Sequence, residues 1–191
     1  MVESTQHKDA LIIQIKEAYA RITYTNTAHL KLMNRLIAKN KIIKICQIIL
    51  SAILTVGLIG SMITNGFIIT LVSSILSAVL LAINLFYKDF NLFDEIKQHR
   101  MVADELWLIR EQYVSLLTDA CVLTTVDIVS RRDELQNKTY SIYKQSPKTD
   151  SKSYIDTQKA LKYDEEQFFT PDEIDKMLPS HLRVNNQNSN E

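Results

Sequence analysis

The chain has 191 residues, with 22 basic and 22 acidic side chains, two cysteines, three glycines and three prolines. This length holds one domain, or one plus a small appendage, and so little Gly and Pro excludes a strand-rich fold in favour of long helices. The balanced charge hides an asymmetry: residues 1–44 carry eight Lys/Arg against three Asp/Glu, whereas residues 88–191 carry fourteen against nineteen. Cys46 lies in an apolar run and Cys121 well outside it, so no disulfide framework is expected, which fits a reducing compartment.

Residues 8–40 read as one amphipathic helix within an N-terminal region that ends at residue 44. Ile12, Ile15, Tyr19, Ile22, Met33 and Leu36 recur at spacings of three and four. The same register places Asn26, His29 and Asn40 on the apolar stripe, where polar groups fix register or oligomer number in a helical bundle. For Asn26 taken alone, a bend or fraying of the helix is the favoured reading. No Pro or Gly separates this helix from the segment after it, so a continuous rod of about 55 residues is expected.

From Ile45 to Tyr87 there are 43 residues without a Lys, Arg, Asp, Glu or His. One crossing of a bilayer takes about 20 apolar residues, so the segment suits two crossings. The spans are placed near 45–63 and 67–87, pivoting on Thr64-Asn65-Gly66, because Asn and Gly tolerate positive φ in a tight turn. A soluble core hairpin is disfavoured because the rest of the chain is too short and polar to wrap two fully apolar helices. A signal peptide fits poorly with a run that starts 44 residues in, and a surface-lying helix would need a charged face. Lys31, Arg35, Lys39, Lys41 and Lys44 precede the first span, and Lys88, Lys97 and Arg100 follow the second, while the turn is uncharged. The positive-inside rule then puts both termini in the cytoplasm, as expected of a multi-pass inner-membrane protein.

Within the spans, Thr70, Ser74, Ala78 and Ala82 form a ladder of small residues at every fourth position, and Gly57 and Ser61 make one such step on the first span. These are the candidate span-packing face, because small residues let helices approach closely in lipid. Ser73, Ser77 and Asn84 mark a neighbouring, more polar face and are the candidate pore-facing residues. One hairpin has too few helices to enclose a water path, so a pore requires a homo-oligomer. Ordinary packing between the two spans is the simpler reading of any one of these residues.

A second arm runs from Tyr87 to about Leu123 within a C-terminal helical region, 88–183. Phe90, Phe93, Ile96, Ala103, Leu106, Ile109, Tyr113, Leu116 and Ala120 trace its apolar stripe. Asp89, Asp94, Glu95, Asp104, Glu105 and Glu111 make it acidic, so it is expected to choose the basic first arm as its partner while the apolar stripes supply most of the stability. Shorter helices follow at 126–144 and 153–166, and a last one opens at Thr170-Pro171-Asp172-Glu173, a capping box with Pro in the first turn. Residues 184–191 read as a disordered tail.

No phosphate-binding, metalloprotease, nucleophile-elbow or CxxC motif occurs, and His7, His29, His99 and His181 lie far apart. His99 with Asp104 and Glu105 is better read as a solvated acidic face, because consecutive carboxylates on a helix point apart. No catalytic, cofactor or metal site is expected. The basic run before the first span is more simply a contact with lipid headgroups than with nucleic acid.

The lead-in AYARITYTNTAHLKLMNRLIAKNK, the pivot at Thr64-Asn65-Gly66 and the exit NLFYKDFNLFDEIKQHRMVADELWLIREQY around Trp107 resemble the SLATT family of two-span bacterial proteins over residues 8–180. The resemblance implies an effector of bacterial conflict systems, partnered by a nucleotide-producing enzyme, a nucleotide sensor or a reverse transcriptase, that oligomerises and depolarises the membrane during phage infection. It implies no catalytic residues. The expectation is therefore an all-α membrane protein, a two-helix hairpin with long cytoplasmic helical arms, acting as a pore-forming antiphage effector. The runner-up is a non-conducting scaffold that holds a cytoplasmic partner at the bilayer.

Overall fold

The computed structural model describes residues 2–183 apart from Asn65 and Phe90. It is all-α: α1 (Val2–Thr64), α2 (Phe67–Asp89), α3 (Leu92–Asp119), α4 (Thr125–Gln145), α5 (Ser151–Lys162) and α6 (Pro171–Met177), followed by a 3-10 turn at Ser180–Leu182. The expected tail at 184–191 lies outside the described residues. Two helical stretches are long and apolar enough to cross a membrane.

α1 is a single helix of 63 residues, about 95 Å at 1.5 Å per residue. It begins before residue 8 and stays helical through Asn26, because the Asn26 amide has a partner on another helix instead of competing for its own backbone. α2 returns along its membrane half and α3 along its arm half. The expected pivot turns on Asn65, which lies outside the described residues. Past it, Gly66 offers its carbonyl to the Thr70 N–H at 3.2 Å, opening α2.

The arm half holds the core. Leu11, Ile15, Ala18 and Ile22 of α1 pack on Val102, Leu106, Ile109, Tyr113 and Leu116 of α3 and on Ala120 just after it, and α4 adds Ile128 and Leu135. Ile15, Leu106 and Ile128 are fully buried, each worth about 1.5–3 kcal/mol of transfer free energy. Of the α3 stripe, Phe90 lies outside the described residues and Phe93 is exposed. The inward row is Leu92, Ile96, His99, Ala103 and Leu106, and Phe93 sits about 100° round the helix from it.

α4 starts from a Thr124 cap whose hydroxyl accepts from the Asp127 N–H at 3.2 Å. The start of α1 is tied to the preceding turn by Lys8 Nζ, which donates to the Leu123 carbonyl at 3.0 Å. α6 carries the expected capping box, Thr170 and Glu173 each bonding the other's backbone N–H. The charge pairing departs from expectation. Lys31 pairs with Glu166 at 2.7 Å and Arg35 with Asp150 and Asp156, so the basic run of α1 is matched by α5 and the turn after it. Among the described residues no ion pair joins α1 to α3, because apolar and neutral polar side chains fill that contact.

Leu106→Ala removes a fully buried side chain from the centre of this core and is expected to cost about 2–5 kcal/mol. Thermal unfolding of the detergent-solubilised chain, followed by circular dichroism, checks the value against the exposed substitution Leu108→Ala.

Candidate functional site

In the membrane half, the two spans meet along a narrow seam. Ile43, Gln47, Leu50, Leu54 and Gly57 on α1 and Ser73, Leu76, Leu80, Ile83 and Tyr87 on α2 are the less exposed positions, each set spaced alternately by four and three residues. That is the spacing of coiled-coil packing. The spans are in close contact at Gly57, where an added Cβ would lie 2.6 Å from Ser73 Oγ. Toward the arms, Gln47 Nε2 donates to Asn84 Oδ1 at 2.8 Å. A hydrogen bond between helices in lipid contributes about 1 kcal/mol, so this pair sets register more than it supplies stability.

The residues nominated from sequence are distributed over this geometry as follows. Gly57 and Ser73, placed on separate faces by sequence reasoning, face each other in the seam. Ser61 is half-buried and returns its hydroxyl to the Leu58 carbonyl at 2.8 Å. Thr70, Ser74, Ala78 and Ala82 are all exposed. The hydroxyls of Thr70 and Ser74 donate to the carbonyls of Gly66 and Thr70 at 3.2 and 2.9 Å, so this face can meet an apolar surface without an unsatisfied donor. Ser77 is exposed, and Asn84 is bound to Gln47 at the seam's edge.

The arm half carries a buried polar layer next to its apolar core. Asn26 Nδ2 donates to the Ala103 carbonyl at 2.6 Å. His29 Nδ1 and His99 Nδ1 lie 2.8 Å apart with both rings almost fully buried, so one nitrogen donates its proton and the other accepts. Burial first, and the neighbouring His99 second, hold the His29 imidazole down to about 4. Burial also lowers His99, against the opposing pull of the Glu95 and Asp150 carboxylates. Sequence reasoning placed His29 on the inward stripe but set His99 beside Asp104 and Glu105 on a solvated face. Asp104 and Glu105 are exposed, and His99 is not. The three-and-four spacing from Leu92 through Ile96 to Ala103 passes through His99 and is the signal that identifies it.

α5 closes this layer. Ser153, Thr157 and Ala160 are its buried face, small enough to bring the helix close to α1. Asp150 caps it, accepting from the Ser153 N–H at 2.8 Å and hydroxyl at 2.7 Å. These bonds, with Arg35 adding to them, draw the carboxyl down to about 2. Beyond α5, Gln167 adopts φ 73° and its amide links Thr27 of α1, at 2.9 Å, to Arg110 of α3. Among the described residues no three His, Cys, Asp or Glu are grouped to hold a metal ion.

Residues 11–173 match the description SMODS and SLOG-associating 2TM effector domain family 4. The chain belongs to the SLATT family. The match runs from the arm half of α1, through both spans, to the first turn of α6. No curated protein and no solved structure matches the chain. As a SLATT domain, it is a two-span membrane effector domain of conflict systems.

Two expectations follow for this SLATT domain. Gly57→Ala forces the Ser73 hydroxyl to turn away, its Cβ staying at an ordinary 3.9 Å, and should cost the hairpin about 0.5–1.5 kcal/mol, whereas a Cβ added at Gly60 meets no neighbouring atom within 4 Å and should be neutral. Ser73→Ala in the Gly57→Ala background should recover most of the loss, as read from the midpoint of an SDS titration. The second concerns pH. Above the ordinary histidine value of 6.5, His29 is neutral folded or unfolded. As pH falls from there toward about 4, the unfolded chain takes up a proton that the folded site resists, so stability declines across that window. Melting midpoints over this pH range should fall in the unaltered chain and fall less in His29→Gln.

Proposed function

We propose that this SLATT domain is the membrane-acting component of an antiphage defence system, which assembles into a homo-oligomer in the inner membrane and opens a pore. Both termini are cytoplasmic, following the basic residues that flank the spans. The observation that carries this reading is the face of α2 made by Thr70, Ser74, Ala78 and Ala82. It is small, internally hydrogen-bonded and exposed in the single chain. In lipid, where no hydrophobic force drives helices together, such a face favours close contact with another helix. Each protomer would place this stripe against a neighbour, leaving Ser77 and Asn84 toward the lumen. Ser73 joins them only when the Gly57 contact opens. The family description names association with SMODS and SLOG, which supports an upstream nucleotide-signalling enzyme or nucleotide sensor as the source of the trigger. A reverse transcriptase is the other partner class proposed.

The test is planar-bilayer conductance of the purified chain, with mass determination in detergent alongside. The unaltered protein should conduct once activated. Ser74→Leu and Ala78→Leu should lower conductance by about tenfold or more and leave the chain monomeric, with its helix content unchanged. An activated, assembled protein that leaves the bilayer sealed would sink the proposal.

A further inference from the structure

Where the hairpin meets the arm bundle, α1 runs through unbroken, while α2 ends at Asp89 and α3 starts at Leu92. The side chains around this interruption surround a cavity of about 440 Å³. One part of its wall is apolar, from Leu36 of α1, Phe86 and Tyr87 of α2 and Leu92 of α3, and the rest carries Lys39 of α1, Glu95 of α3 and the Asn91 amide that caps α3. Lys31 and Arg35, the next basic residues along α1, are in ion pairs, whereas Lys39 and Glu95 are in none among the described residues.

The depth of this cavity follows from chain length. The uncharged segment is bounded by Lys44 and Lys88. Lys39 and Glu95 lie a turn or two farther out along their helices, about 8–10 Å from the hydrocarbon edge, in or just beyond a headgroup layer about 5–8 Å thick. Phe86 and Tyr87 lie at the edge itself, the depth that aromatic side chains favour. The cavity therefore faces phospholipid headgroups with one cation, one anion, one amide and an apolar wall.

We infer that this cavity binds the headgroup of an aminophospholipid of the ethanolamine class, with its phosphate on Lys39, its primary ammonium on Glu95 and the start of its acyl chains along Leu92 and Phe86, toward the hydrocarbon edge. A phosphate alone would leave the Glu95 carboxylate facing an anion. A choline headgroup has no N–H to donate to that carboxylate, whereas a primary ammonium has three and forms the stronger charge-assisted bond. Free phosphoethanolamine carries the same polar groups but lacks the chains that would cover the apolar wall. The inference rests on the two-span membrane reading and is independent of whether the assembly conducts.

The test is native mass spectrometry of the full chain in detergent, given equal amounts of dioleoyl phosphatidylethanolamine, phosphatidylglycerol and phosphatidylcholine. The unaltered chain should retain the ethanolamine lipid about fivefold over either of the others, as expected for one charge contact near the surface. Lys39→Gln should reduce retention of all three. Glu95→Gln should bring the ethanolamine and glycerol lipids to parity, and Glu95→Lys should reverse their order, a gain that misfolding does not produce. The Glu95 carboxylate also pulls electrostatically on His99, but a change at that histidine would not alter which lipid is held. Equal retention by the unaltered chain, an ethanolamine preference that survives Glu95→Lys, or displacement of the lipid by free phosphoethanolamine would each overturn the assignment. A retained preference in a protein that never conducts would remove the pore and leave this site standing.

Discussion

α1 passes from the arm bundle into the apolar hairpin without a break in its hydrogen-bonded backbone, and the other long helices are positioned against it. The same rod is stabilised by different physics along its length. In the arm half, water drives large aliphatic side chains inward, and Ile15, Ile22, Leu106 and Ile128 form an ordinary protein core. In the membrane half, lipid tails are as apolar as leucine, so burying leucine against a second span gains little. There the contact is made by what lipid cannot supply: close approach at Gly57 and Ser73, and an amide pair at Gln47 and Asn84.

Between these halves, neutral polar groups hold α3 in register on α1. The bonds of Asn26 to Ala103 and of His29 to His99 each need a partner at one height along both helices. Sliding α3 by one turn would leave buried donors and acceptors unsatisfied, at about 1–3 kcal/mol each. An apolar stripe alone tolerates such slips far better. α5 adds a second set of constraints through Arg35, Asp150 and Ser153 on the same stretch of α1. The arms are thus built to be one body with one register.

The features legible in the sequence were those with strong local contrast. The uncharged stretch from Ile45 to Tyr87, the inward register of His29 and the capping box at Thr170 all stand out against their neighbours, whereas the bend favoured at Asn26 does not form. His99 was missed because a histidine in an acidic neighbourhood looks solvated, and its partner lies 70 residues away in the chain. Charge alone reads Arg35 as a topology and headgroup residue, although its carboxylate partners belong to the start of α5, brought to it only by the folded chain. Inside the spans the difficulty is of another kind. A helix that is apolar all round has no polar face to mark its outside, and α2 carries small residues on more than one side. Which side meets α1 is decided by the fit of Ser73 into the notch at Gly57, a pairing between two helices that no single-helix pattern contains.

The interruption between α2 and α3 has no counterpart on α1. A rotation or tilt of α2 relative to the arm bundle can be absorbed there without breaking a helix in either half. α1 cannot absorb such a motion, because its hydrogen bonds run continuously through the same level. Rearrangement of the hairpin therefore costs least if α2 moves against a fixed α1, with the Gly57–Ser73 notch and the Gln47–Asn84 pair as the contacts to be exchanged. Both are weak by the standards of the arm core, each on the order of 1 kcal/mol, so contacts of similar strength along the exposed Thr70–Ala82 stripe could replace them. On the assembly proposed above, a change at the arms would need only to shift the balance between contacts within the hairpin and contacts between protomers, while the arms stay folded.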